Sequence, residues 1–305
     1  MDPSFLILQL LSYPNTDPTA TPKPLPTDDA TNRAVSVLDR TPLVDLHKIG
    51  VVYAAPGQTE EAEILFNCAG SRFYGLFLQS LGRLVRLKGC REVYTGGLDT
   101  SDDVDGKYAV YSQDHLSQTI FHCTTLMPSP EHDPLSTGKK RHIGNDFITI
   151  IWNESGLPFA FDTIPAQFNF VNIIIEPVGS MNEKGIGVVK QYNEHMFKAY
   201  AQFREDMPEV GALWDPKLIS GAALGSFVKQ TAVQCNIFAQ IFWQCVSGNM
   251  YTSNARERLR QINRMKNRVV ANAPERPGSA GGGDAGSGVG QGLDLNVLLD
   301  FSRFT

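Results

Sequence analysis

Lys139-Lys140-Arg141-His142-Ile143-Gly144-Asn145-Asp146 runs directly into Phe147-Ile148-Thr149-Ile150-Ile151-Trp152. The second half is an apolar, β-branched run of strand length with no polar face, which predicts a strand buried on both sides. The first half crowds three cations and an imidazole against a Gly-Asn-Asp corner at the mouth of that strand. Residues at the end of a buried strand are held by the core beneath them, so Asn145 is expected to be well positioned. Gly144 permits a tight turn or a close approach by a partner's backbone. A carboxamide donates and accepts hydrogen bonds without carrying charge, and can orient a water beside a phosphate that would repel a carboxylate. The adjoining cations favour such a phosphate, or an acidic surface around it. Gly-Asn before a strand is also an ordinary turn, and a basic run an ordinary solvated face. The residues alone leave both readings open.

Working outward, Asn153 to Gly156 reads as a turn, and Phe168 to Glu176 as a second long buried strand stopped by Pro177. Pairing of the two strands would make a rigid platform under Asn145. Val188 to Tyr192 resumes strand character, and Leu218 to Cys245 carries small and apolar residues at spacings of three and four, which predicts a largely buried helix. Ala255 to Val269 is amphipathic, with Leu259, Ile262, Met265 and Val269 on one face and Arg256, Arg260, Arg264 and Arg268 on another. That basic face is either solvated or a docking surface for an acidic partner.

Upstream, Ser4 to Leu11 has strand length, and the prolines between Tyr13 and Asp29 mark an extended loop. Asn32 to Leu38 predicts a helical turn, His47 to Ala54 a strand, Thr59 to Phe66 and Ser71 to Leu81 helices. Val85 to Leu87, Val93-Tyr94, Lys107 to Ser112 and Gln118 to Met127 read as strand material. The acidic turn from Ser101 to Gly106 offers carboxylates but lacks the glycine and glutamate spacing of an EF-hand loop. The Pro-rich segment from Pro128 to Gly138 is expected to be irregular and to leave Lys139 to Asn145 exposed.

A chain of 305 residues with 42% hydrophobic and 10% aromatic content can bury a substantial core. A formal charge of −5 argues against a generic nucleic-acid binder. The five cysteines include no CxxC pair, so neither a disulfide framework nor a zinc site is suggested, and a reducing, cytosolic setting fits. No apolar run reaches the roughly 18 residues of a membrane span. The sequence carries no GxxxxGK[ST], HExxH, GxSxG or GxGxxG motif, so no nucleotide or metal cofactor of its own is expected.

The string Lys140-Arg141-His142-Ile143-Gly144-Asn145-Asp146, followed by Pro158-Phe159, Ile164 and Gln167-Phe168-Asn169-Phe170-Val171-Asn172, resembles the signature of Rap/Ran-type GTPase-activating domains. His47 to Tyr53, Leu81-Gly82-Arg83-Leu84, Gly96-Gly97-Leu98-Asp99 and Thr125 to Pro128 extend the resemblance over about Pro3 to Val270. It implies an α/β fold of two subdomains, a dimerisation type over 1–106 and a catalytic one with a central mixed sheet over 107–277. A flexible Gly-rich linker at 278–292 and a C-terminal segment at 293–305, expected to return to the N-terminal subdomain or touch a second copy, follow.

The same resemblance implies an activator rather than an enzyme. An asparagine "thumb", here Asn145, enters a partner GTPase and positions the attacking water, while Lys140, Arg141 and His142 support it or contact the partner. Asp146 belongs to the same motif, and Arg258 and Arg260 match residues of a partner surface. The implied partner is a Rheb-like small GTPase carrying its own GTP and magnesium, with a hamartin-type subunit bound elsewhere in a longer protein. The implied setting is cytoplasmic restraint of growth signalling, with recruitment to lysosomal or vacuolar surfaces through partners. Two other classes compete. A self-contained hydrolase would use His142 and Asp146 as acid and base but has no nucleophile or metal set beside them. A non-catalytic scaffold would keep the basic surface and use Asn145 only as a turn.

Overall fold

A computed structural model describes residues 25–178 and 192–271. Chain order is α1 (Asp29–Arg40), β1 (Asp45–Ala54), α2 (Glu61–Phe66), α3 (Arg72–Leu81), β2 (Arg83–Arg86), β3 (Tyr108–Gln113), β4 (Ser117–Cys123), α4 (Thr137–Ile143), β5 (Ile148–Asn153), β6 (Val171–Pro177), β7 (Met196–Phe203), β8 (Lys217–Ser220), α5 (Gly221–Val246) and α6 (Asn254–Ala271). The strands form one mixed sheet in the order β2-β3-β4-β1-β5-β6-β7-β8. Its centre is parallel, with β1 paired to β4 and β5, and β5 to β6. Antiparallel strands extend it at both sides.

Alternation along the central strands sends successive side chains to two covered faces. On one, Ile49, Val51, Ile150, Trp152 and Ile173 pack against α3 (Tyr74, Phe77, Leu81) and α5 (Leu224, Val228, Ala232, Cys235). Trp152 is fully buried and lies 5.1 Å from Phe77 and 5.2 Å from Phe197, ring centre to ring centre. On the other face, Val52, Ala54, Ile151 and Ile174 pack against Ile64 and Leu65 of α2, Ile143 of α4, and Phe159 and Ile164. Burial of each such aliphatic side chain contributes about 1.5–3 kcal/mol. Both faces of β5 are thereby covered, which is why its run has no polar face. Where α3 and α5 touch, a Cβ at Gly225 would fall 2.0 Å from Ser80 Oγ, so the missing side chain sets the helix separation.

The platform expected beneath Asn145 is present, since Ile148 to Trp152 of β5 pair in register with Val171 to Ile175 of β6. Several local expectations change. The turn near Asn32 is a full helix, begun by the Asp28 carboxylate accepting from Thr31 N–H at 2.7 Å. Val93-Tyr94 is loop; it packs on the Leu87, Leu98 and Ile120 cluster instead of pairing. Leu218 to Ser220 are strand, and α5 begins only after Ser220, whose backbone is still extended. β7 has no counterpart in the sequence reading. The sheet is continuous across residue 106: β1 and β2 precede that point, and β1 lies between β4 and β5. The expectations for 4–11, 278–292 and 293–305, and most of 188–192, fall outside the described residues.

Candidate functional site

Pro128 to Ser136 are irregular as expected, but Thr137 to Ile143, directly before the Gly-Asn-Asp corner, form the helix α4. Asp133 caps α4 by accepting from Thr137 and Gly138 N–H, each at 2.9 Å, and these donors hold its carboxyl below the usual carboxylate range. The helix then winds down through Gly144 N–H to Lys140 O at 2.8 Å, Asn145 N–H to His142 O and Asp146 N–H to Ile143 O, both 3.1 Å. Gly144 is right-handed (φ −68°), so it serves tightness rather than left-handed backbone: a Cβ there would approach Lys140 O to 2.8 Å. With seven residues α4 is too short to be stable alone, and its side chains show what holds it.

Most of its charge is spent inside the molecule. Lys139, expected at the surface, is 2% exposed and donates from Nζ to Asn67 O at 2.9 Å, and burial pushes its pKa down. Lys140 pairs with Glu61 at 2.7 Å. His142 is buried, with Nε2 2.8 Å from Asp105 Oδ1; Arg141 Nη2 reaches the same oxygen at 3.2 Å. Arg141 Nη2 also lies 3.2 Å from His142 Nε2, so the three side chains form one compact cluster. Burial lowers the His142 pKa, against the raising effect of Asp105. The acidic turn is therefore a brace: Asp99 accepts from Ser101, Asp102 and Val104 N–H, and Asp105 accepts from Asp99 N–H and grips α4.

Asp146 is also interior. It has no exposed surface, accepts from His122 Nδ1 at 2.7 Å, and has Lys48 Nζ 3.8 Å away. Asn145 alone of the Gly-Asn-Asp corner projects into solvent. Its Nδ2 donates to Arg141 O at 2.7 Å, and among the described residues its Oδ1 takes no hydrogen bond. That anchor occupies the donor side of the amide and leaves its acceptor unengaged. The Arg141 side chain is 63% exposed beside it. A shallow groove of about 320 Å³ runs past, between Lys140, Arg141 and Asn145 on one wall and Pro165 to Phe168 on the other. A hollow of about 520 Å³ lies at the opposite end of the strands, but its polar lining is already paired, Glu176 with Lys198 and Tyr200, and Asn153 with Leu157 O.

Arg258 and Arg260 stand on α6. Arg258 Nη1 donates to Leu38 O and Thr41 O, each at 2.6 Å, clasping the end of α1; Arg260 is exposed and meets Glu257 at 2.9 Å. Sequence reasoning missed Glu61, Asp105, His122 and Lys48, which lie 24 to 98 positions from the residues they hold. Only Asp105 gave a local signal, as part of the acidic turn.

The Rap/ran-GAP family profile matches residues 64–264. The chain is 42% identical over 246 residues to the tuberous sclerosis 2 protein homolog of Schizosaccharomyces pombe, covering 80% of this chain and 18% of that protein. It is 32% identical to the Ral GTPase-activating protein subunit alpha-1 of Rattus norvegicus over 67% of this chain and 9% of that one. The solved structure of the TSC2 GAP domain matches with a TM-score of 0.59 and 42% identity, over 65% of this chain and 99% of that one. The resemblance read from the sequence is thus met in sequence and in fold, and the chain spans under a fifth of the length of these two curated relatives. With a family profile spanning most of the described residues and relatives alike in both sequence and fold, the chain belongs to the Rap/ran-GAP family.

Proposed function

We propose that this domain stimulates GTP hydrolysis by a small Ras-like GTPase, and that Asn145 supplies the water-positioning group in trans. The observation that carries this reading is the amide geometry: on an exposed residue, Nδ2 is anchored to Arg141 O while Oδ1 takes no hydrogen bond among the described residues. An outward carbonyl oxygen accepts a proton of the attacking water and turns the water's lone pair toward the γ-phosphorus. Breaking the bond to GDP then needs little covalent chemistry from the protein. GTP and magnesium belong to the partner. Arg141, exposed beside Asn145, supplies positive charge toward an acidic partner surface, while Lys140, held by Glu61, lines the groove. His142 and Asp146, being buried, act by holding the corner. On α6, Arg260 is the exposed candidate for partner contact, whereas Arg258 acts through the α1–α6 joint.

A Rheb-like GTPase comes first because identity to the tuberous sclerosis 2 homolog exceeds that to the Ral-type subunit, 42% against 32%. A hamartin-type subunit, self-association and cytoplasmic action at lysosomal or vacuolar surfaces belong to the same proposal. The bond from Asn145 to Arg141 O also favours a second reading, a GTPase-binding scaffold in which the asparagine only closes a turn. Single-turnover hydrolysis by Rheb, Rap and Ral, each loaded with GTP, separates the two. Stimulation of Rheb above the others supports the proposal, and binding without stimulation of any of them supports the scaffold.

A further inference from the structure

Asn145 sits between two buried imidazole–carboxylate pairs. Three residues before it, His142 Nε2 lies 2.8 Å from Asp105 Oδ1, the two side chains being 6% and 5% exposed. One residue after it, Asp146 accepts from His122, these being 0% and 1% exposed. The two imidazoles meet edge to face, 5.4 Å between ring centres at 61°. The exit of α4 is thereby tied to the 99–106 turn, the entry of β5 is tied to the end of β4, and the two ties touch. A carboxylate removed from water must stay hydrogen-bonded and neutralised, so each pair resists opening. Gly96, at φ +68°, stands against the His122 ring, and a Cβ there would come within 2.6 Å of Nε2.

We propose that His122 and Asp105 are positioning residues for Asn145, presetting the direction of its Oδ1 before any GTPase docks. This rests on Asn145 being the group that acts on the GTPase. Neither residue reaches the surface groove, so neither contributes to docking directly. Their effect belongs in the chemical step, where a misplacement of about 1 Å costs on the order of 100-fold.

The test measures single-turnover hydrolysis by GTP-loaded Rheb over a range of domain concentrations, with thermal melting of each variant. His122→Phe keeps a ring and deletes the Nδ1–H donor; His122→Asn restores an N–H within reach of Asp146; Asp105→Asn keeps shape and deletes charge. His122→Phe is expected to lower the saturating rate about tenfold or more, with the half-saturating concentration within about twofold. His122→Asn should recover most of that rate, and Asp105→Asn should lose about threefold to tenfold. Asn145→Ala is run alongside. If it matches wild type, the reading of Asn145 fails and this inference falls with it. If it is inactive while folded His122→Phe and Asp105→Asn keep the wild-type saturating rate, or change only half-saturation, the positioning proposal alone is overturned. Should His122→Phe not fold, Asp105→Asn decides by the same criterion.

Discussion

The basic stretches at 139–142 and 256–268 look alike as charge patterns and are used differently by the fold. In the first, Lys139, Lys140 and His142 are drawn inward to Asn67 O, Glu61 and Asp105, and what remains outside is a neutral amide with Arg141 next to it. In the second, Arg258 turns into the α1 carbonyls while Arg260 stays at the surface with Glu257. The comparison teaches that a run of cations in sequence is not a run of free charges. In the α4–β5 corner they make a rigid mount, and on α6 they make a helix–helix joint with a solvated outer edge.

The largest expected effect lies in the mount. Asp146→Ala leaves the His122 Nδ1–H buried without its acceptor and removes the counter-charge near Lys48, which costs about 3–5 kcal/mol. Chemical denaturation measures it; a loss below about 1 kcal/mol would show that the corner does not depend on this pair.

Next comes the joint. Arg258→Met breaks two charged hydrogen bonds to α1 and is expected to cost about 2 kcal/mol, with unchanged stimulation per folded molecule. An unchanged denaturation midpoint together with a raised half-saturating concentration would instead place Arg258 in partner contact.

A pH series sharpens the same contrast. Burial holds His142 and His47 below their ordinary pKa of 6.5, so the unfolded chain binds more protons than the folded one beneath that value. Their stabilising contribution is complete above about pH 6.5 and is lost as pH falls through the depressed folded values. The melting midpoint should therefore drop between about pH 7.5 and about pH 5.5, and His47→Gln should make that drop shallower. A pH-independent midpoint would mean that the folded and unfolded chains bind equal numbers of protons over this range, so that burial does not depress either imidazole. The smallest effect is expected at Arg260→Ala, an exposed pair whose loss changes stability by less than about 0.5 kcal/mol. A larger loss, read by the same denaturation, would show that the outer edge of α6 is not simply solvated.

The parts of the fold legible from sequence are those where burial is nearly complete. Ile148 to Trp152, Val171 to Ile175 and the long stretch of α5 announce themselves because every turn of the chain there meets apolar neighbours. β7 and the four-residue β8 lie toward one edge, where alternate residues such as Lys198 and Leu218 face solvent and the pattern thins. α4 was illegible for another reason. It contains Gly138, follows a Pro-rich segment and has seven residues, so local propensity does not make it. Its cap at Asp133 and its ties to Glu61, Asn67 and Asp105 do. Of the site itself, Asn145 stood out by its neighbours and by the family resemblance. The buried Asp105 and His122 did not, since contacts across 37 and 24 positions leave no periodic trace.

The central claim is that an exposed amide, and not the cations beside it, does the work. Single-turnover hydrolysis by GTP-loaded Rheb with the wild-type domain and with Asn145→Ala tests it most directly, each protein's melting measured in parallel. The account predicts that Asn145→Ala loses about 100-fold or more of the stimulation while its midpoint stays within about 2 °C, because only one exposed hydrogen bond is removed. Stimulation retained by Asn145→Ala, or lost only in step with the melting midpoint, would contradict it.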